Sequence, residues 1–169
     1  MTNVIHLRGL LDEDFIQYKK PSMFLGTCYC TWKCCIDANM DKSMCQNSPL
    51  AQSMIYTVLL ENLYDRYAKN PITHAIVIGG LEPFQQLDEV LALFCVFRKH
   101  GCMDDFVIYT GYEPDEIQSE VYRIERLAES LGGKVIIKFG RYKPNDNPRF
   151  DPILGVELAS SNQYAKEYK

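Results

Sequence analysis

Short continuous apolar runs alternate along the chain with longer stretches in which apolar residues recur at helical spacing. The continuous runs predict buried strands at Ser22–Thr27, Ala75–Ile78, Phe106–Tyr109 and Lys134–Phe139. Apolar residues three and four positions apart predict helices over Leu50–Ala68, Gln86–His100 and Pro114–Leu131. Strands alternating with helices are typical of an α/β fold with a mostly parallel sheet and crossover helices outside it.

A parallel sheet of this kind binds ligands beyond the carboxyl ends of its strands. Three unusual segments fall at those ends: a group of cysteines after the first strand, Gly79–Pro83 after the second and Thr110–Tyr112 after the third. We therefore predict one site at this edge. No linker interrupts residues 1–169, which we interpret as one domain, and the segment Tyr142–Pro152 is rich in Pro, Asn and Asp, which predicts an irregular, solvent-facing tail.

Composition and charge argue against several classes of protein. The chain has 169 residues, of which 47% are hydrophobic, and a net charge of −4, which argues against nucleic acid or an anionic membrane as its main partner. No apolar stretch approaches the roughly 18 residues that span a bilayer. Asp12, Glu13 and Asp14 lie where a signal peptide needs apolar residues, so we expect a cytoplasmic protein.

Seven cysteines are unusual in such a chain, and five of them fall within eighteen residues. These are Cys28, Cys30, Cys34, Cys35 and Cys45. A reducing compartment disfavours disulfides, so clustered thiols indicate metal ligands, and several converging thiolates suit iron–sulfur clusters. Two alternatives remain: some are simply buried thiols, or the group holds structural zinc. Zinc would favour paired cysteines or a Cys/His set, whereas His6, His74 and His100 are scattered and are expected at surface or packing positions.

The cysteine segment resembles the cluster-binding loop of radical S-adenosylmethionine proteins, which carry C-x3-C-x2-C after the first strand. Cys30 and Cys34 match its first part, and Cys45-Gln46-Asn47 is similar to the C-[HYF]-N step of the activating proteins of anaerobic ribonucleoside-triphosphate reductase. Ten residues replace the usual two between Cys34 and Cys45. The third ligand is therefore either Cys45, which we predict, or Cys35; Cys28 and Cys35 are expected to pack.

Three further stretches resemble the same family in the same order. Ile78–Pro83 is similar to its GGEP motif with Leu81 inserted, and Val107–Tyr112 resembles its strand ending in TGY. Leu158–Gln163 resembles the GSSNQ stretch of the reductase activators. Glycines allow close approach to a ligand, and a carboxylate or carbonyl accepts hydrogen bonds from an ammonium group. Taken alone, the glycine pair also fits a strand-to-helix turn, and Leu158–Gln163 fits a polar surface turn.

The resemblance implies a partial (β/α) barrel in which residues 1–169 form a single radical S-adenosylmethionine-like domain. A 4Fe-4S cluster would be held by Cys30, Cys34 and Cys45, leaving one iron open. The residues assigned to S-adenosylmethionine are Met44, Gln46, Gly79, Gly80, Glu82 and Thr110. No side chain is assigned as catalytic, because the chemistry belongs to the cofactors.

The implied activity is reductive cleavage of S-adenosylmethionine to a 5′-deoxyadenosyl radical that generates a glycyl radical on a partner. The implied partner is a large glycyl-radical enzyme such as anaerobic ribonucleoside-triphosphate reductase, with flavodoxin or a thioredoxin-type system as electron donor. Two alternatives are a radical enzyme modifying another peptide or small molecule, and an inactive iron–sulfur or zinc interaction protein. The polar insertion Ile36–Met44 could cover the cluster, touch the adenine or contact the partner.

Overall fold

The computed structural model describes residues 2–169, which form ten strands and five α-helices. The strands are β1 (Val4–Leu7), β2 (Gly9–Asp14), β3 (Ser22–Thr27), β4 (Tyr56–Leu59), β5 (Ala75–Gly80), β6 (Asp105–Tyr109), β7 (Val135–Phe139), β8 (Arg149–Asp151), β9 (Val156–Leu158) and β10 (Tyr164–Tyr168). The helices are α1 (Lys33–Asp37), α2 (Ser48–Ala51), α3 (Leu60–Ala68), α4 (Leu87–Lys99) and α5 (Gln118–Leu131). Short 3-10 turns lie at Lys42–Met44, Pro83–Gln86 and Pro114–Glu116.

Six strands form the main sheet in the order β10-β7-β6-β5-β3-β2. The four central strands are parallel, and the edge strands β2 and β10 are antiparallel to their neighbours. The α/β class and the mostly parallel sheet are therefore confirmed. The strands of residues 2–169 make an open sheet and do not close into a barrel, because β2 and β10 do not pair with each other.

Both faces of the central strands are buried, which explains their continuous apolar runs. Ile76 and Ile78 of β5 belong to the core beneath the helices, together with residues of α3, α4 and α5. Ala75 and Val77 face the other side and pack with Leu154 and other residues of the C-terminal segment. One face of the sheet is thus covered by helices, and the opposite face, called the inner face below, is covered by Tyr18 and by residues of the C-terminal segment from Ile153 onward.

The predicted helix over Leu50–Ala68 is wrong in its first half. Helix α3 begins only at Leu60, and the residues before it form α2 and then strand β4. Strand β4 pairs antiparallel with β1, and Ile5 lies opposite Val58. Residues 55–58 are Ile, Tyr, Thr and Val, which favour a pleated strand over a helix because their side chains are branched at Cβ or aromatic. Pairing with β1 therefore outweighs the helical spacing of the apolar residues.

The predicted irregular tail over Tyr142–Pro152 is wrong at its end, where strand β8 forms a hairpin with β9. Asp151 is buried, and its carboxylate accepts hydrogen bonds from the backbone N–H groups of Ile153, Leu154 and Ala165, each at 2.9 Å. A buried carboxylate with three N–H donors is well satisfied. Asp151 therefore fixes the hairpin against β10 across the inner face.

Arg98 connects segments at the amino ends of the central strands, at the edge of the sheet opposite the clustered cysteines Cys28–Cys45. Its buried guanidinium donates to the carbonyl oxygens of Gly132 (3.0 Å), Cys102 (2.6 Å) and Asp104 (3.0 Å). Gly133 lies against it with φ +88°, and a Cβ there would come within 2.5 Å of a guanidinium nitrogen. Only glycine fits this position without displacing Arg98.

We expect Gly133→Ala to lower the free energy of unfolding by about 2–4 kcal/mol, because backbone strain is added to the displacement of Arg98. Gly101→Ala is the matched control: its φ is +77°, and no other group lies within 4 Å of the new Cβ. Strain alone should cost that variant about 1 kcal/mol. Urea unfolding of both variants measures the difference, and equal losses would contradict the proposed contact with Arg98.

Candidate metal centre

A cavity of about 520 Å³ opens at the carboxyl ends of the parallel strands. Each central strand contributes to its wall: the cysteine segment follows β3, Gly79 and Gly80 end β5, Thr110 follows β6 and Gly140 follows β7. The volume is within the usual range for small-molecule sites, roughly 300–1,000 Å³. The predicted position of the site at this edge agrees with the structure.

Three of the five clustered cysteines line the cavity: Cys30, Cys34 and Cys45. Cys28 and Cys35 are buried and lie outside the lining. The Sγ atoms of Cys34 and Cys35 are nevertheless only 4.0 Å apart, because the two residues are adjacent at the start of α1. The structure thus brings the three predicted ligands together, and Cys35 stays near enough to remain the competitor.

The local electrostatics distinguish these thiols. A hydrogen bond with the Cys45 thiol lowers the pKa of Cys34, and the same interaction raises the pKa of Cys45. Burial raises the pKa of Cys30, although the Trp32 N–H donates to its Sγ at 3.2 Å and favours the thiolate. Cys34 and Cys45 therefore interact directly, and a hydrogen bond from one thiol favours the thiolate of the other.

Three thiols lining one cavity are suitable ligands for an iron–sulfur cluster. Within residues 2–169, no group of three or more His, Cys, Asp or Glu side chains is placed to hold one metal ion. Structural zinc would need four ligands converging on one point, with Zn–S distances of about 2.3 Å. In a 4Fe-4S cluster each thiolate binds a different iron, so the ligands stand farther apart around a shared core. Cys30, Cys34 and Cys45 all line the cavity and are the described thiols available to such a cluster.

Gly79 and Gly80 bring the end of β5 close to β3. Thr27 Oγ1 donates to the Gly79 carbonyl oxygen at 2.9 Å, and a Cβ on Gly80 would lie 2.8 Å from the Thr27 nitrogen. Gly80 also has φ +91°, which favours glycine. The glycine pair is therefore required for the close approach of two strand ends, and it lines the cavity as predicted.

Glu82 ties the end of β5 to the end of β6. Its carboxylate accepts from Thr110 Oγ1 (2.8 Å) and from the N–H groups of Gly111 (2.9 Å) and Phe84 (3.2 Å). Burial raises the pKa of this carboxyl group. A carboxylate offers about four acceptor sites, so three bonds leave one for a ligand in the cavity.

Lys138 is the main cavity residue that the sequence analysis missed. It lies on β7 with 7% of its surface exposed, and its Nζ donates to the Gly140 carbonyl oxygen at 2.9 Å. The described residues offer no second acceptor, although an ammonium group has three N–H donors. Burial lowers its pKa to about 8. A lysine inside the apolar run Lys134–Phe139 was the available signal, because alternation along the strand places it on the inner face with Ile136.

Of the other residues predicted to bind S-adenosylmethionine, some line the cavity and one does not. Gln46 and Thr110 line the cavity, but Met44 does not, and 61% of its surface is exposed. Leu158 and Gln163 also line the cavity. Leu158–Gln163 does contain a turn in which Ser161 is exposed, but Leu158, Ser160 and Gln163 are buried.

The insertion Ile36–Met44 folds back onto the cysteine segment. Lys42 Nζ lies 5.3 Å from the centre of the Trp32 ring, and Trp32 itself lines the cavity. Trp32 has φ 59°, a left-handed conformation that is uncommon for a large side chain and that turns the chain into α1. The insertion therefore packs outside the cavity wall at Trp32.

A second contact fixes the start of the cysteine segment. Gln86 Oε1 accepts from the Cys28 N–H at 2.8 Å, and Arg8 Nε donates to the Cys28 carbonyl at 3.1 Å. The Gln86 amide is itself oriented, because its Nε2 donates to the His6 carbonyl (2.9 Å) and to Glu89 (3.0 Å). Side chains from the end of β1 and from the start of α4 thus hold the segment where it leaves β3.

Together the fold and the site define an α/β domain with a thiol-lined cavity at the carboxyl edge of an open sheet. Residues 19–155, most of the chain, match a family model described as a 4Fe-4S single cluster domain. The chain belongs to this family, and the prediction of an iron–sulfur, metal-binding protein is confirmed. No curated protein and no solved structure matches the chain. No helix in residues 2–169 is long and apolar enough to cross a membrane.

Proposed function

We propose that this protein is a radical S-adenosylmethionine enzyme that generates a glycyl radical on a partner. One observation carries the proposal: a single cavity is lined by three thiols, by the buried Lys138 with unused donors, and by Glu82 with an unused acceptor. A ligand beside the thiols that offers both a carboxylate and an ammonium group would satisfy both residues. The methionine part of S-adenosylmethionine carries these two groups on one carbon.

Each residue then has a defined task. Cys30, Cys34 and Cys45 would hold three irons of a 4Fe-4S cluster and leave the fourth free for a ligand. Lys138 would donate to the ligand carboxylate, and Glu82 would accept from its ammonium group. Gly79 and Gly80 let the backbone come close to that ligand. Gln46 lies on the same wall, whereas the assignment of Met44 depends on the resemblance alone.

A bound, reduced 4Fe-4S cluster would supply the electron for reductive cleavage of S-adenosylmethionine, the source of the radical proposed to act on glycine. The protein's own contribution is to position the ligand and to keep water from it. The buried C-terminal segment serves the second task, since Leu158 and Gln163 line the cavity and Gln163 Nε2 donates to the Gly140 carbonyl at 3.2 Å.

The proposed partner rests on a resemblance of the same segment. Leu158–Gln163 resembles a stretch of the activators of anaerobic ribonucleoside-triphosphate reductase, and Leu158 and Gln163 of this stretch line the cavity. We therefore propose that reductase, or a related large glycyl-radical enzyme, as the substrate. The electron donor would be flavodoxin or a thioredoxin-type system, in the cytoplasm.

A second candidate is an iron–sulfur protein without this activity. The Sγ atom of Cys35 lies 4.0 Å from that of Cys34, so Cys35 could supply a fourth thiolate and close the open iron. A cluster with four thiolate ligands would have no free iron for S-adenosylmethionine, and it would transfer electrons or stabilise the fold instead.

Product formation separates the two candidates. We expect the anaerobically reconstituted protein, reduced with dithionite, to convert S-adenosylmethionine to 5′-deoxyadenosine and methionine, as measured by liquid chromatography. The same sample without dithionite is the control and should give no product. A reduced cluster that gives no 5′-deoxyadenosine would favour the second candidate.

A further inference from the structure

We propose that the free edge of strand β4 is a dimer interface at which two copies of this chain pair antiparallel across a two-fold axis. Strand β4 (Tyr56–Leu59) pairs with β1 on one side, and in the described part of the chain no strand pairs with its other side. The inference does not depend on the activity proposed above.

The hydrogen bonds of β1 show which groups of β4 face outward. His6 lies opposite Thr57, but the His6 N–H donates to Glu89 Oε2 at 2.8 Å and not to β4. His6 and Thr57 therefore form a non-hydrogen-bonded pair of the ladder, whose N–H and C=O groups point away from each other. The Leu60 N–H donates to the Asn3 carbonyl, which agrees with this alternation. Thr57 thus directs its backbone N–H and C=O groups to the free edge, and Leu59 directs its N–H there, whereas the Leu59 carbonyl begins helix α3.

The side chains of this edge are apolar and uncharged. Residues 53–60 contain no charged side chain. Met54 is 87% exposed, and Ile55, Tyr56 and Leu59 are each at least 40% exposed. An exposed apolar strand with unpaired backbone groups is a template for another strand, and proteins normally protect such edges with charges, bulges or proline.

The other edges of the structure are protected. Strand β2 ends in three acidic residues, Asp12–Asp14, and has a register shift in the same stretch. Strand β10 carries Lys166 and Glu167, and the hairpin of β8 and β9 contains Arg149 and Glu157. On the outer edge of β1, the His6 N–H donates to the Glu89 carboxylate of α4. Among the described edges, β4 alone lacks such features, which indicates that it is covered in the assembled protein.

A second copy is the occupant that these features fit best. Antiparallel pairing about a two-fold axis at Thr57 places residues 55–59 of one copy opposite residues 59–55 of the other. Since these residues are uncharged, the pairing neither buries a charged side chain nor brings like charges together. The outward N–H and C=O groups of Thr57 then meet the same groups of the partner copy, which is the self-complementarity that a two-fold interface requires. The same pairing through β2 would bring the acidic residues Asp12–Asp14 of two copies together.

The test is the mass of the full chain in solution under reducing conditions, by sedimentation equilibrium. We expect a dimer of the 19.5 kDa chain for the wild type and for Thr57→Val, which keeps the backbone N–H. Thr57→Pro removes an outward N–H without removing a bond to β1, and it should be monomeric, with dimer affinity at least about tenfold lower. Thr57→Lys should also be monomeric. It keeps the backbone N–H, but it places the positive charges of two lysines opposite each other at the two-fold axis.

Circular dichroism of each variant shows whether the fold is kept. If Thr57→Pro does not fold, the oligomeric state of Thr57→Lys tests the proposal instead. A wild type that stays monomeric at high concentration would overturn the proposal. So would folded Thr57→Pro and Thr57→Lys variants that remain dimeric. A monomeric wild type that instead pairs through β4 with a different protein would replace the second copy as occupant.

Discussion

Alanine at Cys30, Cys34 or Cys45 is expected to abolish cluster binding and 5′-deoxyadenosine formation, whereas Cys28→Ala and Cys35→Ala are expected to keep both. The reason is geometric: the first three thiols line the cavity, and the other two are buried outside its lining. Loss of one thiolate leaves an iron without a protein ligand. We expect more than about a 100-fold loss of product, since even changes to groups behind a metal ligand cost 10- to 100-fold.

The measurement is iron and sulfide per chain after anaerobic reconstitution, with product assayed on the same samples. Cys35→Ala is the matched control for Cys34→Ala, because the two residues are adjacent and their Sγ atoms are 4.0 Å apart. Loss of the cluster in Cys35→Ala with retention in Cys45→Ala would show that Cys35 is the third ligand. Retention of the cluster in all five variants would contradict a three-thiolate site.

Lys138→Met is expected to weaken binding of S-adenosylmethionine to the reconstituted protein by about 10- to 100-fold. A hydrogen bond to a charged group contributes roughly 1.5–3 kcal/mol, which corresponds to this range. Methionine keeps most of the buried volume, so the change tests the ammonium group and not the packing. Equilibrium binding of S-adenosylmethionine to both proteins measures the effect. Lys143→Met is the control, because Lys143 is exposed on the neighbouring segment and its side chain does not line the cavity.

Lys138 also predicts a pH dependence. Burial lowers its pKa to about 8, so the free protein loses the positive charge as the pH rises through 8. Affinity for S-adenosylmethionine should therefore fall above pH 8 more steeply in the wild type than in Lys138→Met, in which only the ligand's own ammonium group loses a proton in this range. The free energy of unfolding should change in the opposite direction. The pKa of Lys138 in the folded protein is below its ordinary value of 10.5, so between pH 8 and 10.5 the unfolded chain binds more protons than the folded one. The wild type should therefore gain stability relative to Lys138→Met as the pH rises through this range. Identical pH profiles for the two proteins would contradict a ligand contact at Lys138.

The central sheet could be predicted from sequence because its strands are buried on both faces. Such strands give continuous apolar runs, and β3 has the predicted bounds, Ser22–Thr27. Strand β4 could not be predicted in this way. Its residues are exposed and mostly apolar, their spacing also fits a helix, and its only described strand partner, β1, lies about fifty residues away in sequence.

The site was predictable where residue type alone carries the chemistry. Clustered cysteines indicate a metal centre by their number and spacing, and the matching family model supports this interpretation. Lys138 could not be assigned so directly, because its importance depends on burial and on the single acceptor at Gly140. Asp151 was missed for the same reason. Its short polar segment is typical of a loop, yet three backbone N–H groups converge on its carboxylate.

The central claim is that one cavity joins the cluster to S-adenosylmethionine. The most direct measurement is the yield of 5′-deoxyadenosine and methionine from anaerobically reconstituted, dithionite-reduced wild-type protein. We predict that the two products form in equal amounts and only in the reduced sample. A protein that contains a reducible 4Fe-4S cluster and yet leaves S-adenosylmethionine intact would contradict the claim.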